Sequence, residues 1–163
     1  TDANVMGHAE RYGAIKKYLV FNDYWGTTRG YIWRKSIELY KDMPVLHKLF
    51  GYGPDTFGIM TTKGFYGEML DKAHVVFDSA HNECLQYLLT IGAGGLIAYV
   101  LFLVFWSKIV LLTLKNEEDI AKGCLFAIAC YFFQSLVNIS IPIATPIFWI
   151  LIGYGIAVTK IRE

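Results

Sequence analysis

Proline and cysteine are scarce in this chain, four and three among 163 residues, and the net charge is only +1. Each shortage excludes something. Cys84, Cys124 and Cys130 lie in apolar runs with neither CxxC spacing nor neighbouring histidines, so they read as small buried hydrophobes rather than disulfide or metal partners. His8, His47 and His74 have no partner at ligand spacing, which argues against a metal site. A balance this close to neutral supplies no electrostatic reason for a nucleic-acid partner. No GxxxxGK followed by Ser or Thr is present, so the glycine-rich run at Phe50–Phe57 is a tight turn and not a phosphate loop. The first residues carry no basic segment followed by an apolar core, and the chain reads as the C-terminal part of a longer membrane protein.

The most informative shortage is of charge in the second half. Residues 1–83 hold ten Lys/Arg and ten Asp/Glu, residues 84–163 hold five and four, and none of those lies between Gly123 and Thr159. With 55% apolar residues and only 18% charged, the balance is that of a membrane protein. The expected fold is mainly α and integral to the membrane: an extracytoplasmic loop region with amphipathic helices over 1–83, then about three transmembrane helices over 84–163, with spans at about 85–114, 123–141 and 143–159. The frame of the first span is ambiguous. A start at Leu96 includes Lys108, whereas a start at Leu85 includes Gly92, Gly94 and Gly95. Lys108, Lys115 and Lys122 surround the first loop and Lys160 with Arg162 follow the last span, so the positive-inside rule places both in the cytoplasm and residues 1–83 outside. Gln134 and Asn138, a turn apart, are expected to hydrogen-bond neighbouring helices.

In the polar half, Ala9, Tyr12, Ile15 and Leu19 recur at helical spacing and predict a short amphipathic helix at the membrane surface. Asn22-Asp23 and Gly26 break it, and Thr27 or Thr28 is placed to cap a second helix, Arg29 to Lys41. On a helical wheel with Arg29 at zero, Ile32, Trp33, Ser36, Ile37, Leu39 and Tyr40 fall within roughly 80° of it, and Arg34, Lys35, Glu38 and Lys41 fall opposite. Arg34 has an ordinary partner in Glu38 at i,i+4. Arg29 sits amid apolar residues at the helix end that disfavours positive charge. It either binds an anion, pairs with a carboxylate such as Asp55 or Asp78, or snorkels to the headgroups.

The polar and apolar halves meet at Asp78-Ser79-Ala80-His81-Asn82-Glu83. Ser79 can cap a helix that starts at Ala80, which would place His81 in its first turn, with Asp78 or Glu83 available to orient the ring.

The order Arg29-x3-Trp33, Pro44, Phe50-Gly51-Tyr52-Gly53-Pro54-x2-Phe57, then Ala80-His81-Asn82-x2-Leu85-x6-Gly92 and a set of spans resembles the O-antigen ligase-like membrane proteins, from about Arg29 to the C-terminus. The resemblance implies a metal-independent, inverting, GT-C-like glycosyltransferase of the bacterial cytoplasmic membrane, of the O-antigen ligase or surface polysaccharide polymerase type. Its donor would be a glycan on undecaprenyl pyrophosphate and its acceptor a glycan or lipid-linked sugar, such as a lipid-A core sugar of lipopolysaccharide, with no cofactor. It also implies His81 as general base and Arg29 as the pyrophosphate-stabilising cation, with Arg34, Asn82, Trp33 and Tyr52 as substrate-binding positions. The chemistry is consistent with those roles. A neutral imidazole can take the acceptor hydroxyl's proton, and a guanidinium fork can meet a departing pyrophosphate. The rival from another class is a non-catalytic membrane module that binds or exports lipid-linked glycan. Separation of His81 and Arg29 on different faces would favour that rival.

Overall fold

The computed structural model describes residues 9–113 and 119–160. His8, Lys115 and Arg162, used above for metal binding and orientation, lie outside those residues. Among the described residues all regular structure is helical. A 3-10 segment at Ala9–Ile15 leads into one turn, α1 (Lys16–Leu19), so the amphipathic entry helix is shorter and tighter than its spacing predicts. α2 (Trp25–Asp42), α3 (Val45–Phe50), α4 (Phe57–Ala73) and α5 (Glu83–Thr90) follow, then the apolar α6 (Gly92–Thr113), α7 (Asp119–Ser135) and α8 (Ala144–Lys160).

Two cores form, one on each side of the break between α5 and α6. Tyr31, Ile32, Met43, Phe57, Met69, Phe77, Ala80 and Leu89 make the core of the head. Leu103, Trp106, Val110 with Cys124, Ile128 and Phe148, Ile152 make the core of the three-helix tail. Because Leu89 belongs to the head, the boundary lies at Ile91–Gly92 rather than at residues 83/84. The apolar run 85–114 is accordingly two helices. The second helix of the tail ends at Ser135, not 141, while the third closely matches its expected range. Asn138 thus lies beyond α7, where its side chain accepts from the Ile139 amide instead of bridging helices. Cys124 is buried as expected, but Cys130 faces outward.

The break at Gly92 is made by a close backbone crossing. A Cβ on Gly92 would collide with the Leu49 carbonyl, and one on Gly51 would collide with the Thr90 carbonyl. Both glycines have left-handed φ, +72° and +73°. At the C-terminal end of α5, the amides of Tyr52 and Gly53 donate to the carbonyls of Leu89 (3.1 Å) and Thr90 (2.8 Å). The glycine-rich run therefore splices the head onto the foot of the apolar helix. Gly51→Ala should lower stability by about 3 kcal/mol, from left-handed strain plus overpacking. Gly67→Ala, in open space within α4, should leave stability unchanged or slightly raised. Thermal unfolding of the two variants checks the contrast.

α2 differs from its wheel in an instructive way. Gly26, Thr27 and Thr28 are all left-handed (φ 60°, 61° and 68°), so regular helix starts at Arg29, and the Thr28 hydroxyl donates to the Thr27 carbonyl rather than capping. The buried residues are Gly30, Tyr31, Ile32 and Ser36, while Ile37 is exposed. The covered face is turned roughly 60° from the apolar stripe, toward Tyr31 and Lys35. Lys35 keeps a side chain only 13% exposed by pairing with Glu38 (2.9 Å) and with Glu68 of α4 (2.7 Å). That rotation leaves Arg29 at the rim of the buried face, half-buried. Met43 ends the helix in extended conformation, as a residue before proline does.

Candidate functional site

The site is built around the start of α5. Asn82, not Ser79, caps that helix: its Oδ1 accepts from the Leu85 amide (3.0 Å), and the first helical residue is Glu83 rather than Ala80. His81 has a left-handed φ of +48°, which turns the chain and prevents a helix from running through it. The Ala80 amide is satisfied instead by Gln86 Oε1 (3.0 Å). Asn82 Nδ2 donates to the carbonyl of Leu136 (2.7 Å), anchoring the turn to the segment after α7. One N–H and the carbonyl oxygen of the Asn82 amide are thus engaged in holding the turn that follows His81.

His81 is half-buried, with its ring edge-on to Phe77 at 6.2 Å. Its Nδ1 is sealed without a hydrogen-bond partner, so Nε2 is the nitrogen free to meet another molecule. Neither expected carboxylate orients the ring. Glu83 Oε1 accepts from the hydroxyls of Tyr87 (2.6 Å) and Ser140 (2.7 Å), and Asp78 acts on His81 only through its charge. The basicity of His81 is lowered, first by burial and then by the charge of Arg29, with Asp78 opposing. The expectation that the helix dipole lowers it from a first-turn position gives way to these two causes, because the ring precedes the cap.

Arg29 is therefore within electrostatic reach of His81 across the chain from α2 to α5. Among the described residues it has no ion pair, with Asp55, Asp78 or any other carboxylate. Its aliphatic stem lies over Gly26. The head thus holds a half-buried imidazole biased to neutrality and, close enough to act on it by charge, a half-buried guanidinium with no ion pair among the described residues. No protein-family model, curated protein or solved structure matches this chain.

The remaining expected positions are dispersed. Arg34 donates to both carboxylate oxygens of Asp23 (3.0 and 2.7 Å) and to Glu38 (2.8 Å), and those hydrogen bonds hold its pKa above and that of Asp23 below their ordinary values. Arg34 is an organising ion pair, and the two arginines are now distinct: one partnered, one free. Trp33 packs between Trp25 (5.3 Å) and Phe21 (6.1 Å), with its indole N–H buried and without a partner. Tyr52 stacks on His47 at 4.1 Å and lines a cavity of about 490 Å³ with Asp42 and Lys63, which His81 does not line. Among the described residues no group of three His, Cys, Asp or Glu is arranged to hold a metal ion.

Sequence reading missed the role of Ser140 and the buried carboxylate it contacts. Only the i,i+4 spacing of Glu83 and Tyr87 hinted at that network. Ser140 lies 57 residues from Glu83, and nothing local announces so distant a contact.

Proposed function

We propose that this chain is the loop and closing helices of a membrane glycosyltransferase that moves a glycan from undecaprenyl pyrophosphate to a sugar hydroxyl, in the manner of an O-antigen ligase or surface polysaccharide polymerase. The observation that carries the reading is His81, held toward neutrality by burial and by the charge of Arg29, which has no ion pair among the described residues. His81 Nε2 takes the acceptor proton as the acceptor oxygen attacks the anomeric carbon. The bond to the pyrophosphate oxygen breaks on the opposite face, and Arg29 meets the charge that develops there. In-line displacement inverts the anomeric centre.

The tail supports a lipid location for the donor. Gly92–Leu112 is long and apolar enough to cross a membrane, yet only 17% of its most apolar window is covered by protein. Ile97, Phe105 and Leu112 are 58%, 60% and 62% exposed, and Ile147 and Ile150 of α8 are also exposed. A core helix of a water-soluble protein would bury such side chains; here lipid is the natural solvent. In this reading α7 and α8, 17 residues each, complete three spans of the cytoplasmic membrane by tilting or local thinning. The head then lies on the extracytoplasmic side, with the turn at His81 tied to the end of α7 through Asn82.

The test is product analysis. Full-length protein in vesicles is given an undecaprenyl-pyrophosphate-linked glycan and a sugar acceptor, and the new linkage is read by NMR. The account expects released undecaprenyl pyrophosphate and an inverted anomeric centre. Retention of configuration would overturn in-line displacement, and binding of donor without turnover would favour the export or binding module.

A further inference from the structure

A cavity of about 300 Å³ that the reaction above does not use is lined by Asp55, Asp78, Ser79, Glu83, Gln86 and Ser140 together with Ile139; Ser79 and Glu83 flank His81 in sequence, and His81 itself is not part of the wall. Three separate segments close it: the glycine-rich turn, the residues flanking His81, and the loop between α7 and α8. We infer that this cavity is the acceptor-sugar subsite and that it takes a neutral or amino pyranose and rejects an acidic one. The inference rests on the glycosyl-transfer reading and adds the class of acceptor to it.

Two unsatisfied groups point to a ligand. Glu83 is 3% exposed, and while its Oε1 accepts two hydroxyls, its Oε2 has no partner. A buried carboxylate oxygen left unpaired is costly, and the protein leaves this one at a cavity wall. The Ser79 hydroxyl, also lining the cavity, is likewise buried without a partner. An acceptor and a hydroxyl that can donate or accept, on two residues of one cavity wall, suit the hydroxyls of a sugar ring. Gln86 is already committed, its Oε1 holding the Ala80 amide.

Charge sets the class. Asp55, Asp78 and Glu83 line the cavity and, among the described residues, no Lys or Arg does, so a uronate or phosphorylated sugar would meet like charge, whereas hydroxyl or ammonium donors are welcome. The anionic pyrophosphate belongs with Arg29, which does not line this cavity. Donor and acceptor are thereby assigned to groups of opposite charge.

The test uses the full-length protein in nanodiscs and saturation-transfer NMR with methyl glucoside, methyl glucosaminide and methyl glucuronide. Wild type should saturate the first two and not the glucuronide. Glu83→Gln keeps a carbonyl oxygen for Tyr87 and Ser140 and replaces the free oxygen with an amide N–H. It should weaken glucosaminide binding about tenfold and raise glucuronide saturation relative to glucoside, short of equality because Asp55 and Asp78 remain. Ser79→Ala, which leaves the charge in place, should weaken glucoside binding severalfold while glucuronide stays excluded. Equal binding of glucuronide and glucoside by wild type, or an unchanged ratio in Glu83→Gln, overturns the subsite. The two readings fail separately: pyranoside discrimination that persists in wild type that transfers no glycan sinks the reaction alone, and loss of discrimination with transfer still dependent on His81 sinks the subsite alone.

Discussion

His81→Ala is expected to reduce glycan transfer by about 10²–10⁴-fold at unchanged protein level, the range for removal of a general base. The backbone complicates alanine here. With φ at +48°, residue 81 occupies a conformation that alanine adopts reluctantly and asparagine tolerates. His81→Asn is therefore the cleaner variant: it accepts the left-handed turn, keeps the Asn82 cap and α5 intact, and lacks a base of suitable pKa. If both variants lose transfer to the same extent while thermal stability of His81→Asn stays at the wild-type value, the loss is chemical. Surface-glycan output with protein quantified on the same cells provides the readout. Normal output from a well-expressed His81→Asn would remove the imidazole from the mechanism.

Arg29→Ala is expected to cost about 10²–10³-fold in kcat, as the loss of one fixed donor to a developing anion does. Arg34→Ala should act differently. Its charge is neutralised by Asp23 and Glu38, so its removal should appear as lower stability rather than as a defect in turnover. Arg29→Lys keeps the charge without the planar fork and should recover only part of the activity. A kcat defect equal in the two alanine variants would argue that the free guanidinium is not special.

Arg29 was legible because a cation near an apolar stripe is anomalous on any helical wheel. The wheel nevertheless placed the buried face wrongly. It treats Lys35 as a solvent residue, but Glu68 of α4 supplies a partner that draws it inward, and no single-helix pattern contains that information. The seam was misplaced by a few residues for a related reason. Ser79 and Asn82 are both good caps, and the choice between them is made by the left-handed turn at His81 and by the Leu136 carbonyl that holds the Asn82 amide. The glycines that made the first span's frame ambiguous are explained by a crossing that takes Gly51 and Gly92 together. Helical class and the apolar tail could be argued from residue order and type, whereas a shared site for His81 and Arg29 was only implied by the family resemblance. The Glu83–Ser140 contact and the cavity it borders depend on long-range closure of the fold and left no mark in the sequence.

The most direct test of the shared site is the pH dependence of kcat/KM in wild type and Arg29→Ala. A base acts when neutral, so activity falls as pH drops through the pKa of His81. Burial and the Arg29 charge depress that pKa, which puts the acid limb of wild type below the ordinary histidine range. Removing Arg29 deletes one depressing influence and leaves Asp78, which raises it, so the limb should move to higher pH. An acid limb at the same pH in both proteins would contradict the claim that Arg29 and His81 work in one site.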